Sequence, residues 1–158
     1  MAVEIERKFL VHMDRLPALP AGTRLCQGYI PTVNNTTVRV RLSGIRAFLT
    51  LKGPSVGISR PEFEYEIPAQ DAEQMIALLC TGGTVDKVRY EIEHEGLVWE
   101  LDIFSGENAG LVVAEIELTH EDQPFSLPEW VGEEVSSDPR YSNFALLQTP
   151  FKRWTAQP

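Results

Sequence analysis

The chain has 158 residues, 43% of them hydrophobic, which suits one folded domain over residues 1–158 with a real core. It carries 23 acidic residues against 14 Lys and Arg, a formal net charge of -9. Such a surface repels nucleic acid and anionic membranes, so neither is expected as a partner, and any anion site must gather its cations locally. No apolar run is long enough to span a bilayer, and the chain reaches Glu4 and Glu6 without a signal-like apolar stretch, so a cytoplasmic protein is expected. Cys26 and Cys80 have no CxxC or metal-ligand spacing and read as reduced thiols.

Taken in chain order, the alternation of apolar and polar residues predicts strands over 3–11, 24–31, 36–43 and 46–53, with a possible turn at 14–19 interrupted by Pro17. Gly44 marks a hairpin turn between the third and fourth strands. A strand over 61–67 follows, then a helix over 69–80 carrying Met75, Ile76, Leu78 and Leu79 and stopping at Gly82-Gly83. Strands over 84–93, 97–104 and 110–119 come next, the first two separated by Glu95-Gly96. A second helix is expected over 142–147, ending before Pro150. Eight strands joined by sequential hairpins predict a mostly β, α+β fold: an antiparallel barrel or strongly curled sheet.

Side chains two residues apart share one face of a strand. Glu4, Glu6 and Lys8 therefore share a face opposite Ile5 and Phe9, and Arg39 and Arg41 lie opposite Val38, Val40 and Leu42. The same split recurs for Thr50 and Lys52, for Glu62, Glu64 and Glu66, and for Lys87 and Arg89. It recurs again for Glu100 and Asp102 and for Glu115 and Glu117. In any single strand this is the ordinary pattern of a sheet with one wet face. In a closed barrel with helices packed outside, the charged faces converge on the axis. Buried charges must be paired or bind something. Lys8, Arg39, Arg41, Lys52, Lys87 and Arg89 suit phosphate oxygens. Glu4, Glu6, Glu62, Glu64, Asp102, Glu115 and Glu117 suit a hard divalent cation such as Mg²⁺ or Mn²⁺. Both needs together describe a metal–polyphosphate complex.

Glu4-Ile5-Glu6-Arg7-Lys8 resembles the ExExK signature of the CYTH domain superfamily, the triphosphate tunnel metalloenzymes. Arg39-Val40-Arg41, Leu51-Lys52-Gly53, Glu62-Phe63-Glu64, Lys87-Val88-Arg89, Trp99-Glu100-Leu101-Asp102 and Glu115-Ile116-Glu117 follow in the family's order. The tail at Trp130–Val135 and Tyr141-Ser142-Asn143 resembles the short bacterial branch. The resemblance implies a closed eight-stranded antiparallel tunnel with a charged interior, acting on triphosphates with a divalent metal, two ions being held when substrate is bound. The branch favours inorganic tripolyphosphate. Nucleoside or thiamine triphosphatase and class IV adenylate cyclase chemistry occur on the same tunnel, and a non-catalytic polyphosphate-binding module is the reading from another class.

On that resemblance, Glu4, Glu6, Glu115 and Glu117 hold metal. Lys8, Arg39, Arg41, Lys52, Lys87 and Arg89 grip the phosphates. Glu62, Glu64 and Asp102 either bind metal or orient the cations. Tyr29 either stands near Lys8 and assists proton transfer or packs at the barrel mouth. Glu66 and Glu100 lie nearer strand ends and are expected in solvent. His12, His94 and His120 read as surface residues, and Trp99, Trp130 and Trp154 as packing residues. A monomer or homodimer is expected.

Overall fold

The computed structural model describes residues 2–155, so the first residue and the last three of the expected domain lie outside the described residues. Among the described residues, nine strands form: β1 (Val3–Val11), β2 (Thr23–Ile30), β3 (Thr37–Ser43), β4 (Arg46–Lys52), β5 (Ser59–Ile67), β6 (Val85–His94), β7 (Leu97–Phe104), β8 (Val112–Glu117) and β9 (Val131–Glu134). The helices are α1 (Ala69–Leu79), α2 (Asn143–Gln148) and α3 (Phe151–Thr155), with short 3-10 turns at Met13–Arg15, which stops before Pro17, at Gly106–Asn108 and at Pro139–Tyr141.

The strands run in the order β5-β4-β3-β2-β6-β7-β8-β1, all antiparallel, and β1 returns to β5. The eight-stranded barrel closes as the charge pattern requires. Closure rests on β1. Its Glu6–Leu10 stretch pairs with β8, while on the opposite edge Val3–Ile5 pair with β5 and the upper residues Phe9 and Val11 pair with β9. The seam with β5 is short, three residue pairs. The β6–β7 hairpin turns through Glu95 (φ 47°) and Gly96 (φ 82°), two consecutive left-handed residues whose twist matches that of the flanking strands.

The main hydrophobic cores lie outside or at one end of this barrel, and the interior is polar. Phe9, Trp99, Leu101, Ala114 and Ile116 face outward from β1, β7 and β8 and are covered by Phe125 and Trp130 of the segment after β8, with Leu16 and Leu19 at the margin. Trp99 and Trp130 meet edge to face at 5.8 Å. α1 lies on the outside, as expected, where its Ala72 packs on Val40 and Ala47. Its C-terminal end sits so close to β2 that a Cβ on Gly28 would stand 2.9 Å from Cys80 Sγ. α2 is placed differently. Its Leu146 packs on Val85, Phe104 and Val113, which have inward parity, so this helix closes part of one barrel end rather than lining the outer wall.

Strand ends coincide with the sequence expectation or differ from it by at most two residues, β8 being two residues shorter at each end. β9 and α3 are additions to the expected elements. α3 begins just past Pro150, a residue that ends α2 but has the φ to start a helix. The earlier start of β5, at Ser59, brings Arg60 onto the inner face. Both cysteines are free, and no helix of the described residues is long and apolar enough to cross a membrane.

Candidate active site

The barrel encloses a cavity of about 690 Å³ whose wall takes a charged or polar side chain from nearly every strand. Pleating sends Glu4, Glu6 and Lys8 inward from β1, and register places their partners: Glu6 stands opposite Glu117 and Lys8 opposite Glu115 on β8. The expected meeting of the first strand with Glu115 and Glu117 is therefore present. Arg39 and Arg41 of β3, Lys52 of β4, and Lys87 and Arg89 of β6 line the same cavity, together with Glu62 and Glu64 of β5.

Three ion-pair groups hold this interior. Lys52 Nζ lies 3.1 Å from Glu4 and 3.2 Å from Glu62, tying β4 to both sides of the β1–β5 seam. Arg39 donates to Glu64 Oε2 and to Thr50 Oγ1, each at 3.2 Å. Asp102, fully buried, lies 2.7 Å from Lys87 Nζ and takes two hydrogen bonds of 2.8 Å from Arg89. Arg89 also reaches Glu100 at 3.1 Å. Glu100 therefore faces the tunnel, against the expectation of solvent: its parity outweighs its position near the strand start. Glu66 does lie in solvent, where it pairs with Arg46. Each of the three open-role acids, Glu62, Glu64 and Asp102, is paired with a cation in this structure, as Glu4 and Glu115 are.

The charge balance is uneven along the wall. Glu115 is held well below the usual carboxylate range: burial opposes ionisation, but Lys8, Arg89 and Lys87 overcome it. Glu6 goes the other way. Burial raises it well above that range, and Glu115 and Glu4 add to the rise. Glu117 is raised by burial and by Glu4. Neither Glu6 nor Glu117 joins an ion pair among the described residues. On the cation side, burial with the repulsion of Arg39 and Arg89 pulls Arg41 down to about 10. Burial, then Arg89 and Arg41, pull Lys87 down to about 7 against the attraction of Asp102.

Sequence reasoning missed several members of this wall. Arg60 lies on the inward parity of Glu62, opposite Glu4, and donates to Gly53 O at 2.9 Å and Thr37 Oγ1 at 3.4 Å. Its signal was present, two residues before Glu62, but the expected strand began too late to include it. Gln27 shares the inward parity of Tyr29 and is completely buried. The segment around α2 contributes acceptors: Lys8 Nζ donates to Tyr141 O at 3.0 Å and Lys87 Nζ to Asn143 Oδ1 at 2.9 Å. No periodicity announces those contacts, because they come from loop geometry. Tyr29 does line the cavity, with its ring edge against Phe144 and its hydroxyl bonded to Gln27. The three histidines do not line it.

The donor set fits a hard divalent cation. Glu6 stands opposite Glu117 and feels Glu4, and burial first, then neighbouring carboxylates, disfavour the ionised forms of Glu6 and Glu117, a cost that a bound cation would offset. Among the described residues no three acids, cysteines or histidines form a ready-made metal group. A hard divalent cation needs only one or two protein carboxylates when waters and phosphate oxygens fill its other positions.

A closed antiparallel barrel with cations and carboxylates converging on its axis is the architecture of the CYTH domain. The family's sequence pattern matches residues 2–146, and the chain belongs to that family. An inorganic triphosphatase of Acetivibrio thermocellus is 46% identical over 154 residues, 98% of this chain and 99% of that protein. An inorganic triphosphatase of Nitrosomonas europaea is 41% identical over 150 residues, 90% of this chain and 95% of its own. A solved structure of an inorganic triphosphatase aligns with a TM-score of 0.67 at 36% identity, covering 94% of this chain and 97% of its own.

Proposed function

We propose that the protein hydrolyses inorganic tripolyphosphate to pyrophosphate and phosphate inside the tunnel, with a divalent metal, as a single domain over residues 1–158. The observation that carries the reading is the gathering of seven cations, Lys8, Arg39, Arg41, Lys52, Arg60, Lys87 and Arg89, on one cavity of a chain whose net charge is -9. The two relatives of near-full length bear the same activity in their names.

Four of these cations rest at least partly on neutral oxygens: Lys8 on Tyr141, Lys87 on Asn143, Arg41 on Gln27 and Arg60 on Gly53. Phosphate oxygens can replace or join those acceptors, forming stronger charge-assisted hydrogen bonds. Lys8, Arg39, Arg41, Lys52, Lys87 and Arg89 then hold the chain and stabilise the charge that spreads over the transferred group. Asp102 and Glu64 keep the guanidinium groups aimed inward. Glu4, Glu6 and Glu117, with Glu115, would hold Mg²⁺ or Mn²⁺, two ions with substrate present. Such an ion supplies Lewis-acid activation of water and phosphate there.

Phosphate release from tripolyphosphate, ATP and thiamine triphosphate, measured side by side with Mg²⁺ or Mn²⁺, tests the reading. Tripolyphosphate is expected to be turned over fastest. Preferred turnover of a nucleotide or thiamine ester, or cyclic AMP from ATP, would replace it with another chemistry of the same tunnel. Binding of tripolyphosphate without turnover would make the protein a polyphosphate-binding module. Glu4→Gln is expected to abolish turnover, and retention of near wild-type rates would sink the metal assignment.

A further inference from the structure

Gln27 sits between two groups of the tunnel wall and is 0% exposed. Arg41 Nε donates to its Oε1 at 2.9 Å, and its Nε2 donates to Tyr29 Oη at 2.7 Å. The direction of this relay follows from the chemistry of its ends. A guanidinium only donates, so the amide oxygen must face Arg41, and the amide NH₂ must then face Tyr29. Tyr29 Oη therefore accepts from Gln27, and its own proton points elsewhere. Among the described residues that proton meets no hydrogen-bond acceptor, and neither do the terminal amines of Arg41. Both residues line the cavity.

We propose that Gln27 is a positioning residue: it fixes the polarity of the Tyr29–Gln27–Arg41 relay so that the phenol O–H and the guanidinium N–H groups point together at phosphate oxygens of the bound triphosphate. This rests on the reading of the tunnel as a triphosphate site. Gln27 itself touches no substrate. Its contribution is orientation set before substrate arrives, so no donor has to turn during the reaction. An unconstrained phenol would be free to rotate its proton away from the substrate, and an unanchored arginine would be drawn towards the carboxylates of the wall.

Gln27→Glu separates the two halves of this device. A carboxylate at position 27 still accepts from Arg41 Nε, but it also accepts the Tyr29 proton and turns it out of the tunnel. The full chain is assayed with Mg²⁺ and tripolyphosphate as wild type, Gln27→Glu, Tyr29→Phe and the double variant, with kcat and KM measured separately. Losing one preorganised donor lowers kcat on the order of 10²-fold, and that loss is expected for each single variant. In the double variant kcat is expected to equal that of Tyr29→Phe, because the hydroxyl through which Gln27 acts is already gone. Any change in KM from the added charge should be the same in both backgrounds. Losses of kcat that multiply in the double variant, or a Tyr29→Phe enzyme as fast as wild type, would overturn the relay.

If Gln27→Glu does not fold by circular dichroism, Gln27→Met, which fills the space without either hydrogen bond, is assayed instead: its kcat is expected to fall below that of Tyr29→Phe, because Arg41 loses its anchor as well, and a Gln27→Met enzyme as fast as wild type would overturn the relay. A wild-type protein that turns over no triphosphate would refute the proposed reaction instead. The relay would then be read from tripolyphosphate affinity of the same variants by calorimetry. There too, a smaller loss from Gln27→Glu in the Tyr29→Phe background than in the wild-type background supports it, and additive losses overturn it.

Discussion

Single side chains in this tunnel do opposite things to stability and to ligand binding, and Glu6 shows it most clearly. Its carboxyl is raised well above the usual range by burial and by Glu115 and Glu4, so the ionised form is disfavoured in the metal-free fold. Gln in its place keeps a donor for Glu115 and removes the charge. Glu6→Gln is expected to raise the metal-free thermal midpoint at pH 8 by a few degrees, since about 1 kcal/mol moves a domain of this size ~2–4 °C. The same change should abolish Mg²⁺-dependent phosphate release. A thermal melt and an assay on one sample check both signs, and a lowered midpoint would show that Glu6 is stabilising as an anion. Lys87 gives a second residue-scale expectation. Its folded value of about 7 lies below that of an exposed lysine. Between pH 7 and roughly 10 the unfolded chain binds a proton that the folded chain does not, so this group makes stability rise with pH across that window. A triphosphate beside Lys87 favours the ammonium form. Calorimetry at pH 8 in two buffers of different ionisation enthalpy should show proton uptake on metal-free tripolyphosphate binding, largely lost in Lys87→Arg, because a guanidinium stays charged.

At the scale of elements, the strands were legible because one period carries two messages at once. Alternation along β3 and β6 names the strand, and the residues that alternate, Arg39 with Arg41 and Lys87 with Arg89, name the inner face. β9 has four residues and only an upper fragment of β1 to pair with, too little for a periodic signal. α2 was legible as a helix but not as the closure of one tunnel end, because Leu146 and Phe144 give the spacing of an apolar face without its partner. Glu100 lies near a strand end, which suggests solvent, yet the Asp102–Arg89–Glu100 cluster shows that parity decides its direction. The docking of α1 was also hidden, since Gly28 looks like a gap in an otherwise good strand. Its Cβ position is filled by Cys80 Sγ at 2.9 Å and approached by Ile76 at 3.7 Å. Gly28→Val should force the end of α1 off the wall and cost about 1–3 kcal/mol, as overpacking does. A thermal midpoint unchanged by that substitution would mean that α1 shifts freely.

The whole molecule turns the usual arrangement inside out: Trp99, Leu101 and Ile116 pack outside the wall, and Lys87 and Asp102 are sealed within it. This follows from the charge pattern once closure is assumed, but closure itself rests on the three pairs between β1 and β5, which no local signal announces. An interior of this kind is costly to hold without a ligand. Desolvating each ion costs several kcal/mol, and a buried pair returns that only with good geometry and full hydrogen bonding. Asp102 meets that condition, with two cations at 2.7–2.8 Å, whereas Arg41 and Arg60 face the cavity with neutral partners and Glu6 with another acid. The fold therefore holds both unmatched cations and unmatched carboxylates, and a metal–triphosphate complex supplies the missing partner of each. Binding only the folded state at a hundred times the dissociation constant adds about 2.7 kcal/mol, which raises the thermal midpoint by ~5–10 °C. Tripolyphosphate with Mg²⁺, kept in large excess so that turnover does not exhaust it, is expected to do this in the native chain at concentrations where orthophosphate does little. Mg²⁺ alone should give a smaller rise, through the carboxylates, and tripolyphosphate with a chelator an intermediate one, through the cations. A midpoint indifferent to all three would mean that the charged interior is satisfied by its own ion pairs and has no ligand to wait for.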